Sequence, residues 1–183
     1  MEIFIEKEYK TLLSLSQYNK LFKVFKNSQT IIQTNYYFDN NNYQLRQHGF
    51  MARIRVCNNN YTFTLKTPKI NNQTTEHNIQ LSKLDINNQE IKTLLNNFNL
   101  NDDLKIIASA TTTRTITTDT YGEWCLDKTN FSNGLTDYEL EYELINSKDE
   151  KWEYFLDFLK KHKINYIPIK SKISRALNTS PIQ

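Results

Sequence analysis

Residues 4–10 read FIEKEYK, and the fold turns on which way their charges point. A β-strand sends successive side chains to opposite faces. Glu6, Glu8 and Lys10 therefore share one face, and Ile5, Lys7 and Tyr9 share the other. Taken alone, a charged face is what a surface strand shows to water. The other strands decide whether this one is ordinary.

They repeat the habit. Period-2 segments recur at 2–10, 31–38, 50–57, 61–67, 74–81, 105–118, 123–128 and 136–145. In MARIRV, Arg53 and Arg55 oppose Ala52, Ile54 and Val56. In YTFTLKT, Thr62, Thr64 and Lys66 oppose Tyr61, Phe63 and Leu65. TTEHNIQL sets Glu76, Asn78 and Gln80 against His77, Ile79 and Leu81. YELEYEL sets Glu139, Glu141 and Glu143 against Tyr138, Leu140, Tyr142 and Leu144. TTTRTIT carries Arg114, and WCLDK places Asp127 opposite Leu126.

Three stretches switch to a helical period: 14–26, 88–98 and 148–162, the last behind a capping box from Ser147 to Glu150. Residues 171–178 form a short final helix capped by Ser171. The Asn runs at 40–42 and 58–60 mark hairpin turns. Linkers are scarce, with three prolines and three glycines, so one domain spanning 1–183 is expected.

Two architectures fit such alternation. An open sheet would pack its apolar face on the helices and show its charges to water. A closed sheet would hold the charges inside and dock the helices outside. Three features favour closure. Acids cluster on some strands and bases on others, although like charges two residues apart repel. Thr, Asn and Arg fill the polar faces more than flexible Lys and Glu do. The apolar-striped helices also need an outer surface to cover.

Closure has a chemical consequence. Same-face residues lie about 6.5–7 Å apart along a strand. Carboxylates at that spacing in a confined space stay ionised only with a cation nearby. An all-oxygen ligand set selects a hard ion, Mg²⁺ or Mn²⁺. The planar guanidiniums of Arg53 and Arg55 suit phosphate oxygens. A cavity with carboxylates on one side and Arg and Lys on another is built for a metal-bound polyphosphate.

Composition narrows the alternatives. A net charge of +3 with no Lys/Arg block argues against sequence-specific nucleic-acid binding. No apolar run spans a membrane and no signal-peptide pattern opens the chain, so no membrane partner and a cytoplasmic location are expected. Cys57 and Cys125 stand alone, which disfavours disulfides and a cysteine zinc site. His48, His77 and His162 do not cluster and are read as structural or exposed. Tyr36 and Tyr37 could flank the cavity mouth or belong to the core.

In order along the chain, these elements resemble the CYTH superfamily, the triphosphate tunnel metalloenzymes, over residues 2–178. Glu6, Glu8 and Lys10 match its N-terminal ExExK, and Arg53 and Arg55 its R-x-R pair. YTFTLKTP supplies Lys66, TEHNIQ supplies Glu76, TTRTIT supplies Arg114, and LDKTNF supplies Asp127 in an LDxxxF pattern. DYELEYEL is the late acidic strand, and IKSKISRAL a C-terminal basic element with Lys170, Lys172 and Arg175. The chain is most similar to small stand-alone bacterial members, without an appended helical module.

The resemblance implies a mainly β, eight-stranded antiparallel barrel, open as a tunnel and flanked by helices. It also implies a divalent-metal-dependent triphosphatase acting on inorganic triphosphate, thiamine triphosphate or a nucleotide. By similarity, Glu6, Glu8, Glu76, Asp127, Glu139, Glu141 and Glu143 hold Mg²⁺ or Mn²⁺. Lys10, Arg53, Arg55, Lys66, Arg114, Lys170, Lys172 and Arg175 bind phosphates. Glu6, Glu8, Lys10, Arg53, Arg55 and Lys66 are the catalytic set. One departure stands out: Thr112 and Thr113 occupy a neighbourhood where a second basic residue often precedes the Arg114 equivalent. That keeps a non-catalytic polyphosphate- or nucleotide-binding module in view, with adenylate cyclisation ranked lower. A homodimer is compatible with the sequence.

Overall fold

In the computed structural model, which describes residues 1–25, 28–71, 73–100 and 103–177, the first strand closes the sheet on itself. The chain runs β1 (Glu2–Glu6), β2 (Glu8–Leu13), α1 (Leu15–Val24), β3 (Gln29–Asp39), α2 (Gln44–Gln47), β4 (Met51–Cys57) and β5 (Asn60–Lys66). It continues with β6 (Thr74–Leu81), α3 (Gln89–Asn97), β7 (Lys105–Thr118), β8 (Gly122–Phe131), β9 (Thr136–Leu144), α4 (Trp152–Lys161) and α5 (Lys172–Leu177).

One antiparallel sheet has the order β1-β6-β5-β4-β3-β7-β8-β9-β2. Its two edges, β1 and β2, are consecutive in the chain, with Lys7 between them. The sheet therefore curls until its edges meet, forming a barrel-like tunnel. The named strands number nine where the sequence predicts eight, because segment 2–10 divides at Lys7. Its first part pairs with β6 and its second with β9. The swap begins where Leu144 N–H donates to the Lys7 carbonyl at 3.0 Å.

Most buried apolar residues of the strands face outward and are covered by helices, while Ile3, Phe4 and Ile5 of β1 stay exposed. α1 and α4 pack Tyr18, Leu21, Phe155 and Leu159 on Leu13, Leu126, Leu140 and Tyr142. Trp124 is stacked between Tyr142 and Phe158, with ring centroids 4.1 and 4.0 Å away. On the other half, α3 packs Ile91, Leu94 and Leu95 with Ile54, Phe63, Leu65 and Ile79. Burying one such side chain contributes about 1.5–3 kcal/mol, so these clusters carry the fold without the charged inner face. A third cluster lies inside. Tyr37, Ala108, Ala110 and Phe131 receive Ala176 of α5, with Ile173 and Leu177 beside it, so α5 closes one end of the tunnel.

The helix starts show which local signals survive packing. Ser14 and Gln17 form a reciprocal capping box at α1. Ser171 Oγ accepts from Ser174 N–H at 3.3 Å in the first turn of α5. The box expected from Ser147 to Glu150 does not form. α4 begins at Trp152 behind Lys151, without a side-chain cap. Glu150 instead accepts from Lys7 Nζ at 2.7 Å and Tyr9 OH at 2.5 Å. Residues 26 and 178, at the expected ends of two helices, lie outside the described residues. α2 is an element the sequence did not announce. The buried Asp39 carboxylate creates it by accepting from Leu45 and Arg46 N–H at 3.0 and 3.1 Å.

Asp119 knots the β7–β8 turn to α4. Its carboxylate accepts from Tyr121 and Gly122 N–H, Trp124 Nε1, Tyr142 OH and Tyr154 OH, all at 2.8–3.0 Å. Partial burial pushes this carboxyl up, but the hydrogen bonds outweigh it and hold it below its usual value. Its stabilising effect is therefore present above the ordinary Asp range and is lost as pH falls through the depressed folded value. Asp119→Ala should cost about 1.5–3 kcal/mol, the range for hydrogen bonds to a charged group, in urea unfolding at pH 7. That loss should shrink in acid.

Candidate active site

The inner face encloses a cavity of about 440 Å³. Ten of the residues singled out from the sequence line it: Glu6, Glu8, Lys10, Arg53, Arg55, Lys66, Arg114, Glu141, Glu143 and Lys172. They converge because each strand alternates. Glu8 sits opposite Glu143, Lys10 opposite Glu141, and Asp127 opposite Glu139 and Arg114.

The acids form two groups. Glu6, Glu8 and Glu143 each bring a carboxylate oxygen within 4.8 Å of the others, at the lumen surface. Asp127, Glu139 and Glu141 do the same deeper in the wall.

The deep group is already compensated by the protein's own cations. Lys172 Nζ bonds Asp127 at 2.9 Å and Glu141 at 2.8 Å, and pairs with Glu139. Arg114 is bidentate to Asp127 at 2.9 and 2.8 Å, and also reaches Glu141 and Glu143. Arg175 spans Asp137 and Glu139. Asp127 is driven below the carboxylate range: burial raises it, but Lys172 and Arg114 overcome that.

The outer group is less settled. Lys66 binds Glu6 at 2.5 Å and Glu76 at 2.6 Å, and Lys10 binds Glu8. Burial and the Lys10 and Lys66 ammoniums compete at Glu8, and the ammoniums hold it at about 2. Glu6 and Glu143 are pushed up, first by burial and then by neighbouring carboxylates. An all-oxygen trio in which Glu6 and Glu143 hold protons more tightly than free Glu fits a hard divalent cation, which would compete with those protons.

The opposite wall is cationic. Arg53 approaches Glu76 only to 3.9 Å, and its buried Nε has no hydrogen-bond acceptor among the described residues. Arg55 donates to the neutral amide of Asn35 at 3.1 Å. Burial, with Arg53 and Arg114 alongside, lowers Arg55 to about 10. Two half-buried guanidiniums with no hydrogen-bonded carboxylate among the described residues form an incomplete electrostatic site.

Lys170 is exposed and does not line the cavity, whereas Lys172 points in. Glu76, Asp127 and Glu139 stand behind the lining as partners of the inward cations, and Arg175 stands there too, paired with Asp137 and Glu139. Tyr37 lines the lumen, and Tyr36 packs on the outer cluster. Thr112 is buried and bonds Thr129 at 3.0 Å, so no cation takes that place. Lining residues the sequence did not indicate include Gln33, Asn35, Arg46, Lys69 and Ser171. Gln33 and Asn35 had a signal, since they alternate with Tyr37 on one strand. Arg46 and Lys69 had none, because they arrive from α2 and the β5–β6 loop.

The sequence matches the CYTH domain over residues 5–177. The chain belongs to the CYTH family. CYTH proteins act on triphosphates and use divalent metal ions. A proposed adenylate cyclase from Bacillus halodurans superposes on this CYTH chain with a TM-score of 0.85 at 29% identity, covering 96% of this chain and 98% of that one. A proposed adenylyl cyclase from Hippeastrum, described as having a dominant triphosphatase activity, gives 0.71 at 20% identity over 94% of each chain. A Pyrococcus horikoshii protein gives 0.67 at 17% identity, covering 96% and 99%. The last two share the fold. No curated protein matches the sequence significantly. No helix of the described residues is long and apolar enough to cross a membrane.

Proposed function

We propose that this CYTH chain hydrolyses a triphosphate, inorganic or attached to a small organic group, with Mg²⁺ or Mn²⁺ inside the tunnel. The observation that carries the proposal is the Arg53–Arg55 wall: half-buried positive charge with no hydrogen-bonded carboxylate among the described residues, facing an acidic trio across one lumen. A polyanion supplies what the wall lacks, and a divalent ion lets it lie against the acids.

Glu6, Glu8 and Glu143 would hold the metal ion, which would neutralise phosphate charge and help generate the attacking hydroxide. The outer trio is proposed ahead of Asp127, Glu139 and Glu141 because all three of its members line the lumen, whereas Asp127 and Glu139 do not and Glu76 stands behind Lys66. Arg53 and Arg55 orient the phosphate chain and balance charge that grows on the leaving oxygens. Lys10 and Lys66, each already on a carboxylate, can turn a donor to phosphate without moving far. Lys172 and Arg114 hold the acidic strand in place from below.

Thr112 in place of a cation favours a second reading, a module that binds without turnover. Incubation with tripolyphosphate, ATP and thiamine triphosphate, each with Mg²⁺ or Mn²⁺, separates the outcomes. Release of orthophosphate supports hydrolysis. Cyclic AMP with pyrophosphate would mean cyclisation, and tight binding without product would mean a sensor.

Metal binding should also depend on pH. Glu6 and Glu143 keep protons to higher pH than free Glu, so Mn²⁺ affinity should rise with pH through and above the usual carboxylate range. Calorimetric titration at several pH values checks this, and a flat profile would contradict it.

A further inference from the structure

A second cavity, about 640 Å³, lies against the tunnel wall and is lined by Lys7, Glu8, Tyr9, Lys69, Glu150–Tyr154 and Tyr166. It shares Glu8 and Lys69 with the lumen. The place where the two meet is explained by the topology. A wall of hydrogen-bonded strands leaves no way through, but here the first strand changes partner at Lys7. Below that point β2 pairs with β9, and its other edge meets the 166–168 segment through Thr11, Leu12 and Ile167. Glu8, a member of the proposed metal-binding trio, stands next to this change of partner and lines both cavities.

The chemistry of this side cavity differs from that of the lumen. Trp152 is half-buried. Tyr166 meets it edge-on, with centroids 5.0 Å apart and planes at 89°, and Tyr9 meets it at 5.4 Å and 61°. Tyr154 and Tyr166 are 40% and 41% exposed. Lys69 lines both cavities, whereas the Lys7 ammonium is held on the outer side by Glu150 at 2.7 Å and the Asp149 carbonyl at 2.8 Å. Aromatic faces and edges beside cations suit a flat heteroaromatic ring whose phosphate tail leaves towards positive charge.

We infer that this side cavity seats the planar aromatic group of a triphosphate ester whose phosphates lie in the tunnel, so that the substrate is organic. The inference rests on the hydrolase proposal above. Trp152 and Tyr166 are the stacking surfaces, and Lys69 sits where ring and phosphate chain join.

Affinity and KM are measured for ATP, thiamine triphosphate and inorganic tripolyphosphate in wild type, Trp152→Ala and Tyr166→Ala. Loss of a stacking face should weaken at least one of the two esters about tenfold. Tripolyphosphate, with no ring to seat, should shift less than twofold. Tyr166 carries the test if Trp152→Ala, which removes packing against Phe155, does not fold. Equal shifts for all three compounds, or no shift for either ester, would overturn the inference while leaving the hydrolase proposal standing. Wild type that binds none of the three would overturn that proposal and this inference with it.

Discussion

Glu8→Gln is expected to lower metal-dependent hydrolysis of the preferred triphosphate by about 100-fold or more, with the fold retained. Loss of groups that merely orient metal ligands already costs about 10–100-fold, and Glu8 would be a ligand itself. It is also the member of its trio best prepared for a cation. Glu6 and Glu143 are pushed towards protonation, whereas Lys10 and Lys66 keep Glu8 ionised despite its burial. Gln keeps the shape and removes the charge. The outer clusters under α1, α3 and α4 do not include Glu8, so circular dichroism and the unfolding transition should remain those of a folded protein. Phosphate release by this variant at the wild-type rate would remove Glu8 from the site.

Arg55→Ala should weaken triphosphate binding by about 1.5–3 kcal/mol, roughly 10- to 150-fold, the range for hydrogen bonds to charged groups. The same change should leave the Tm of the ligand-free protein unchanged or higher. Arg55 is half-buried beside Arg53 and Arg114, and its bonded partner is the neutral Asn35 amide. Its charge therefore opposes folding until an anion arrives. A purely structural arginine would behave in the opposite way, with lower Tm and little change in affinity. Calorimetric titration of tripolyphosphate together with thermal unfolding distinguishes the two.

Much of the inner face was legible because alternation is a strict period. Once Glu8 is placed inside, Glu6 and Lys10 follow, and the same holds for Arg53 with Arg55 and for Glu141 with Glu143. The division at Lys7 was not legible, since the period runs through it unchanged and only the pairing partner switches. The failed cap at Glu150 has a similar cause. A local box predicts a local bond, but Lys7 and Tyr9, distant in sequence, bind that carboxylate instead. The division of labour among the acids was also hidden. Spacing cannot tell a carboxylate facing the lumen from one covered by Lys172, because α5 takes its place only in the closed barrel. Arg46 and Lys69 came from α2 and a loop, where no period operates.

Diffraction from crystals grown with Mn²⁺ and a non-hydrolysable triphosphate, read at the manganese absorption edge, tests the central claim most directly. The expected result is an anomalous peak bound by carboxylate oxygens of Glu6, Glu8 and Glu143, with phosphate oxygens between it and the guanidiniums of Arg53 and Arg55. Manganese away from that trio, or a triphosphate bound outside the tunnel, would contradict the account.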